Sequence, residues 1–196
     1  MELILVRHGQ TPSNVQRLLD TAAPGASLDE TGHQQAAALV GRLAGDGVEA
    51  IYTSGVPRTE QTAAPLAARL GITPVALPGL REVQAGRWEM STDWVPYVKT
   101  LTAWQTDPTV RIPDSENGVE FVERFDAAVR QIADDGAGRA VVVSHGAALR
   151  VWTGTHCAAV TPQFLRTADV PNTTVIRVQG SPSTGWELLS WGDETL

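Results

Sequence analysis

Cysteine is almost missing from this chain: Cys157 is the only one in 196 residues. That excludes an intramolecular disulfide and a cysteine-rich zinc site. Long apolar runs are missing too, since no stretch approaches the ~20 apolar residues of a membrane span. The first residues read directly as a strand, without the basic-then-apolar order of a signal peptide. Positive charge is in deficit. Fifteen lysines and arginines stand against 22 acidic residues, a formal net charge of -7. This argues against a nucleic-acid surface or a polybasic membrane patch. There is no internal repeat and no low-complexity tract. The expectation is a cytoplasmic protein with neither a nucleic-acid nor a membrane partner.

What the chain does carry is a short aliphatic run, Leu3-Ile4-Leu5-Val6, that ends abruptly in Arg7-His8-Gly9. Such a run reads as a strand buried on both faces. In an open α/β sheet, ligands bind at the carboxyl ends of the strands. A histidine beside an arginine at that place points to chemistry on an anion. The stretch 11–27 shows no period and reads as a long loop. Asp29 is placed as the N-cap of a helix with Ala36, Leu39, Val40 and Leu43 on one face.

Residues 48–53 read as a second strand, and Ser54 as the cap of the helix after it. That helix has Ala63, Leu66, Ala67 and Leu70 on its apolar face, and Pro65 predicts a kink. Residues 73–77 form a short third strand. Residues 78–113, with Trp88, Trp94 and Trp104, read as an insertion or lid over the sheet edge. Asn117 and Glu120 make a capping box ahead of the stripe Phe121, Phe125, Ala128 and Ile132. Residues 140–143 form another buried strand, running into Ser144-His145-Gly146. The next helix has Ala148, Val151, Trp152 and Thr155 on one side. Residues 174–178 and 186–190 close the chain as a hairpin. Strands alternating with helices predict a single domain over residues 1–196. Its fold class is α/β, a three-layer α/β/α sandwich around a mostly parallel, mixed sheet.

Three strand ends carry chemistry: Arg7-His8-Gly9, then Ser54 with Arg58 one turn on, then Ser144-His145-Gly146. If these strands lie side by side, two histidines and two arginines meet. Arginine forks match phosphate oxygens bidentately, and a helix start near Ser54 adds backbone amides. A histidine held there can be a nucleophile when its other ring nitrogen is fixed as a donor. The leaving alkoxide needs a proton, and Glu82, just after the third strand, is the leading acid. The arrangement calls for no metal and no cofactor.

Taken in order, these motifs resemble those of the histidine phosphatase superfamily, in the branch that also holds cofactor-dependent phosphoglycerate mutases. Arg7-His8-Gly9, extended by Gln10-Thr11 and Asn14, resembles the RHG signature. Residues 28–36 (LDETGHQQA) are similar to LTxxGxxQA, and residues 54–63 (SGVPRTEQTA) to SxxxRxxxTA. Glu82 with Gly86-Arg87-Trp88-Glu89 resembles ExxxGxWE. The Val-Ser-His-Gly run ending at Gly146 resembles the second-histidine motif, and Pro171-Asn172 a late family element. The resemblance implies a phosphoglycerate mutase-like fold and a phosphohistidine intermediate on His8. It implies that Arg7, Arg58 and His145 grip phosphate, that Asn14 and Gly146 add contacts, and that Glu82 moves the proton. The chain departs from relatives at Met90, where many carry glycine, and at Asp20-Thr21-Ala22-Ala23, which replaces a glycine-bearing loop. Relatives line the substrate entrance at both places.

His33 and His156 match no motif and read as solvated or structural, and Cys157 as an inert small side chain. The three tryptophans of residues 78–113 either pack that segment or line a pocket for an apolar or sugar leaving group. The expected function is a phosphomonoesterase acting on a small phosphorylated metabolite. A mutase needs a second anion site, and residues 78–113 offer only Arg81, Arg87, Lys99 and Arg111. A non-catalytic module that binds a phosphorylated ligand is the third reading, against which every expected catalytic group is present. Oligomeric state is open, and an exposed strand edge or helix face is compatible with a homodimer.

Overall fold

The computed structural model describes residues 1–192, 194 and 195. Its elements, in chain order, begin with β1 (Glu2–Arg7), α1 (Pro12–Val15), α2 (Glu30–Leu43), β2 (Ala50–Thr53), α3 (Pro57–Leu70) and β3 (Val75–Ala76). Two 3-10 turns, Pro78–Leu80 and Gly86–Trp88, lead to α4 (Val95–Ala103) and α5 (Gly118–Asp134). Then come β4 (Arg139–Ser144), α6 (Gly146–His156), α7 (Pro162–Thr167), β5 (Val175–Ser181), β6 (Gly185–Trp191) and β7 (Glu194–Thr195).

The aliphatic run of β1 decides the architecture. Successive side chains of a strand point to opposite faces, and all four from Leu3 to Val6 are fully buried. Leu3 and Leu5 join Phe121, Phe125 and Trp152, the inward side chains of α5 and α6. Ile4 and Val6 join Leu39, Leu43 and Leu66, those of α2 and α3. Helices therefore cover both faces, as three layers. The sheet order is β3-β2-β4-β1-β5-β6-β7. The four strands from β3 to β1 run parallel, and β5 turns the sheet antiparallel. Strands β2, β4 and β1 are neighbours, so the three chemistry-bearing strand ends do lie side by side.

Several local expectations are corrected. The stretch 11–27 is not all loop, because Thr11 and Asn14 form a reciprocal capping box that nucleates the single turn α1. Strand β2 starts at Ala50, and β3 is only two residues long. Pro74 has no N–H to give the ladder, which shortens β3 at its start. Ser54 is not a helix cap: Val56 stands there, without a side-chain bond, and Pro57 takes the first turn.

The inward face of α6 is Ala148, Leu149, Trp152 and Thr153, with Thr155 exposed. Trp152 sets this rotation by packing 5.6 Å from both Phe125 and Trp186. Residues 78–113 leave the edge strand β3 uncovered, since both of its residues are exposed. They instead bury Tyr97 and Trp104 against the α5 side of the core. The capping box of Asn117 and Glu120 is present as expected. Among the described residues no helix is long and apolar enough to cross a membrane.

Phe125, fully buried between Phe121 and Trp152, tests this packing. Phe125→Ala should cost about 3–5 kcal/mol. Urea unfolding should show a lower midpoint at an unchanged slope, whereas a loss below about 1 kcal/mol would mean that this cluster is not the core.

Candidate active site

Parallel pairing of β1 with β4 sets Arg7 opposite Ser144, and the His8 amide donates to the Ser144 carbonyl at 3.0 Å. His8 thus leaves the sheet beside His145. The two imidazoles meet edge-on, with centroids 5.2 Å apart. The loop bearing His8 is pinned at each backbone group. The Gly9 amide donates to Thr62 Oγ1 at 2.9 Å, and the His8 carbonyl accepts from Asn172 Nδ2 at 2.9 Å. Gly32, in the motif that opens α2, is required by a close approach, because a Cβ there would collide with the Gln10 carbonyl.

His8 Nδ1 lies 2.7 Å from the Gly9 carbonyl, which can only accept, so Nδ1 carries the proton. Its Nε2 is left as a free lone pair. Burial, then the charges of Arg58 and Arg7, hold the ring well below the ordinary histidine range. His145 is fully buried, and the same forces hold it down. Arg58 Nε donates to His145 Nδ1 at 3.3 Å, so Nε2 bears the proton and donates to Ser54 Oγ at 2.8 Å. Ser54, expected as a helix cap, is instead a support for His145.

The two guanidinium groups close the cluster. Arg7 Nη1 donates to the Val170 carbonyl at 2.6 Å, and Arg58 Nη2 to the Asp20 carbonyl at 3.4 Å. Arg7 Nε and Arg58 Nη1 are buried and have no partner among the described residues. Buried N–H groups are nearly always paired, so two that share one site mark a place built for acceptor oxygens. Gly146 flanks Arg7, where a Cβ would press on Nε at 3.3 Å. Asn14 lines the same cavity, but its Oδ1 is occupied by the Thr11 amide and Asn172 Nδ2.

Glu82 lies at the N-terminus of α6. One carboxylate oxygen accepts from Ala148 N at 2.7 Å and Val83 N at 2.9 Å, the other from Ala147 N at 3.1 Å. Burial pushes its carboxyl up, and these three amides together with Arg7 pull it back only in part. A carboxyl raised in this way holds its proton more readily than an ordinary one.

Two residues escaped the sequence reading as a pair. Glu89 accepts the Thr21 amide at 2.7 Å, the Thr21 hydroxyl, and the Ala22 amide at 3.0 Å. It ties down the loop whose Asp20 carbonyl meets Arg58. Gly25 in that loop has φ +66°, and a Cβ there would strike Arg58 Nη1. Met90, at the position where relatives often carry glycine, has φ +60°, a conformation that glycine adopts without strain. His33 is exposed, and His156 Nε2 sits 2.9 Å from Asp126 Oδ1 without hydrogen-bond alignment, both far from the cluster in role. Cys157 is buried, and its thiol is pushed up to about 11. Among the described residues no group of three or more His, Cys, Asp or Glu side chains is placed to hold a metal ion.

Comparison with known proteins bears on the family and the fold. The family model described as histidine phosphatase superfamily (branch 1) matches residues 3–194. The chain is 41% identical over 206 residues to the PE-PGRS family protein PE_PGRS11 of Mycobacterium tuberculosis, covering 95% of this chain but only 35% of that protein's length. It is 31% identical over 207 residues to "Probable phosphoglycerate mutase GpmB" of Yersinia enterocolitica, covering 98% of this chain and 93% of that one. Among solved structures, mycobacterial glucosyl-3-phosphoglycerate phosphatase superposes with a TM-score of 0.83 at 24% identity, over 98% of this chain and 99% of that chain. Alpha-ribazole phosphatase of Shigella flexneri superposes at 0.78 and 22%, over 100% and 98%. At those identities the structural likeness speaks for the fold.

Two measurements test the site. The unfolded chain takes up protons near pH 6.5 that His8 and His145 refuse when folded, so stability should fall as pH drops through that value. Glu82, raised in the folded state, has the opposite sign: its contribution is present at low pH and lost as pH rises through its folded value. Urea unfolding should lose about 2 kcal/mol between pH 7 and 5.5, and a His8→Asn/His145→Asn protein should lose less than half of that. A parent protein equally stable at both pH values would contradict the neutral pair. Separately, Gly25→Ala should weaken inorganic phosphate binding by calorimetry about 10-fold, about 1.4 kcal/mol, by displacing Arg58. An unchanged dissociation constant would mean that this loop does not set the Arg58 position.

Proposed function

Because the chain belongs to the histidine phosphatase superfamily, whose members include phosphatases and phosphoglycerate mutase-like proteins, we propose that it is a phosphomonoesterase. It hydrolyses a small phosphorylated metabolite through a phosphohistidine on His8. The observation that carries this reading is the pair of unpartnered buried nitrogens, Arg7 Nε and Arg58 Nη1, set beside an imidazole whose Nε2 lone pair is free.

In this reading the phosphoryl oxygens take the open N–H positions of Arg7 and Arg58. His8 Nε2 attacks phosphorus, while the Gly9 carbonyl holds Nδ1–H and stabilises the ring as it gains charge. The bond from phosphorus to the ester oxygen breaks, and Glu82 in its acid form gives that oxygen its proton. The carboxylate then takes a proton from water as the water attacks phosphohistidine, releasing inorganic phosphate and restoring both groups. Donors fixed before the reaction stabilise the equatorial oxygens without reorganisation. His145 orients Arg58. It does so as a neutral ring, its Nδ1 lone pair accepting from Arg58 Nε while Ser54 accepts from the opposite nitrogen. Asn14 and Gly146 shape the wall on either side.

Hydrolysis is favoured over mutase transfer by what the cavity offers a second anionic group. Arg150 also lines it, but both of its terminal nitrogens are engaged by the carbonyls of Ala168 and Leu165. Arg166 at the rim is bonded to Gln163. A mutase needs that second anion held firmly.

His8→Ala should reduce p-nitrophenyl phosphate hydrolysis at least about 1,000-fold. Rapid quenching of the parent protein under turnover should trap an acid-labile, base-stable phosphoenzyme. A His8→Ala protein as fast as the parent, or no phosphoenzyme on quenching, would rule out the covalent route.

A further inference from the structure

The catalytic cluster occupies one end of a much larger space. The cavity is about 860 Å³, many times the size of a phosphoryl group. Its far wall is apolar: Trp94, Val98 and Leu101 from α4 and the residue before it, Val151 from α6, and Leu165 from α7. Trp94 and Val98 are 40% and 49% exposed, so the fold itself does not use their apolar surface. Large apolar side chains left open inside a concave site are a binding wall rather than unfinished core.

This wall is also fixed in place. Trp94 Nε1 donates to the Arg17 carbonyl at 2.7 Å, and its ring meets Tyr97 edge-on at 6.2 Å. Tyr97 is itself buried, with its hydroxyl on the Val83 carbonyl at 2.8 Å, one residue from Glu82. An aromatic wall held this way needs no ordering when a ligand arrives, which leaves more of the contact energy for binding.

Charge in the outer cavity points the same way. Arg150 is tethered by the Ala168 and Leu165 carbonyls, and Arg166 is water-exposed. Exposed Asp169 and half-buried Asp20 also line the space. A carboxylate on the leaving group would face Asp20 and Asp169 there, while Arg150 is held by two carbonyls and Arg166 by Gln163.

We propose, resting on the hydrolase reading above, that the leaving group of the substrate is uncharged and apolar or aromatic. Trp94, Val98 and Leu101 receive it while its phosphate sits on Arg7 and Arg58. Binding energy gained at this wall is realised at the reacting phosphorus as orientation.

The test compares phosphate esters of primary alcohols, so that leaving-group basicity is matched. The probes are 2-(1-naphthyl)ethyl phosphate, glycerol 3-phosphate and 3-phosphoglycerate, with p-nitrophenyl phosphate as a control for hydrolysis. The naphthylethyl ester should exceed 3-phosphoglycerate in kcat/KM by about 100-fold or more, from the apolar area it buries. Val98→Asp, at a site exposed enough to tolerate the change, should narrow that ratio at least about 10-fold, mainly through KM of the naphthylethyl ester. Trp94→Ala should act in the same direction. Equal or better turnover of 3-phosphoglycerate, or a ratio unmoved by both variants, would overturn the inference while leaving the hydrolase reading standing. Failure to hydrolyse even p-nitrophenyl phosphate would overturn the hydrolase reading and the inference with it.

Discussion

Cations enclosed at one end of a sheet are the constraint on which the rest of this molecule depends. Arg58 is almost fully buried, Arg7 Nε is buried beside it, and neither Arg7 Nε nor Arg58 Nη1 has a partner among the described residues. Holding charges out of water costs several kcal/mol per ion, so the surrounding fold must be stable enough to bear it. The strands beneath supply that stability, with aliphatic side chains buried on both faces of the sheet. The same field dictates the state of the imidazoles. Further positive charge there is unfavourable, so His8 and His145 stay neutral, and neutrality gives His8 its lone pair. The neutral imidazole and the unpartnered guanidinium N–H groups thus have one physical origin.

The arginine end and the apolar end of the cavity are joined through a short piece of backbone. Glu89 ties down the loop that covers Arg58, and five residues later the chain presents Trp94 at the apolar wall. Between them Met90 holds a left-handed conformation and donates its amide to the Leu19 carbonyl at 2.9 Å. Residues 78–113 therefore act on both ends of the cavity. Changes in this segment alter the shape of the entrance and the position of Arg58 together.

The chemistry was legible in the sequence because it sits where strands end. A buried aliphatic run cannot continue into Arg7-His8 or Ser144-His145 without leaving the core, so the positions of these residues follow from local pattern. Their meeting depended on β2, β4 and β1 being neighbours, which topology supplied. Elsewhere local rules gave way to contacts distant in sequence. Ser54 has the chemistry of a cap, but His145, 91 residues away, claims its hydroxyl. Glu89 and Thr21 are 68 residues apart, and no spacing rule connects them. The rotation of α6 is not readable from local pattern, because Leu149 and Val151 are both apolar. Only the packing of Trp152 against Phe125 and Trp186 chooses between them.

The unpartnered N–H groups also bear on how long the protein survives. An acceptor that fills them binds the folded chain and not the unfolded one, so it raises stability by RT ln(1 + [L]/Kd), about 2.7 kcal/mol at a hundred times Kd. If inorganic phosphate is that acceptor, it is the product of the reaction as well as a guard of the fold. An abundance of it would slow turnover and lengthen the protein's lifetime at once. Scarcity would leave the enzyme fast and more readily unfolded. Resistance to heat and proteolysis would then report the phosphate status of the surroundings, through the same two arginine side chains to which the proposed function gives the phosphate.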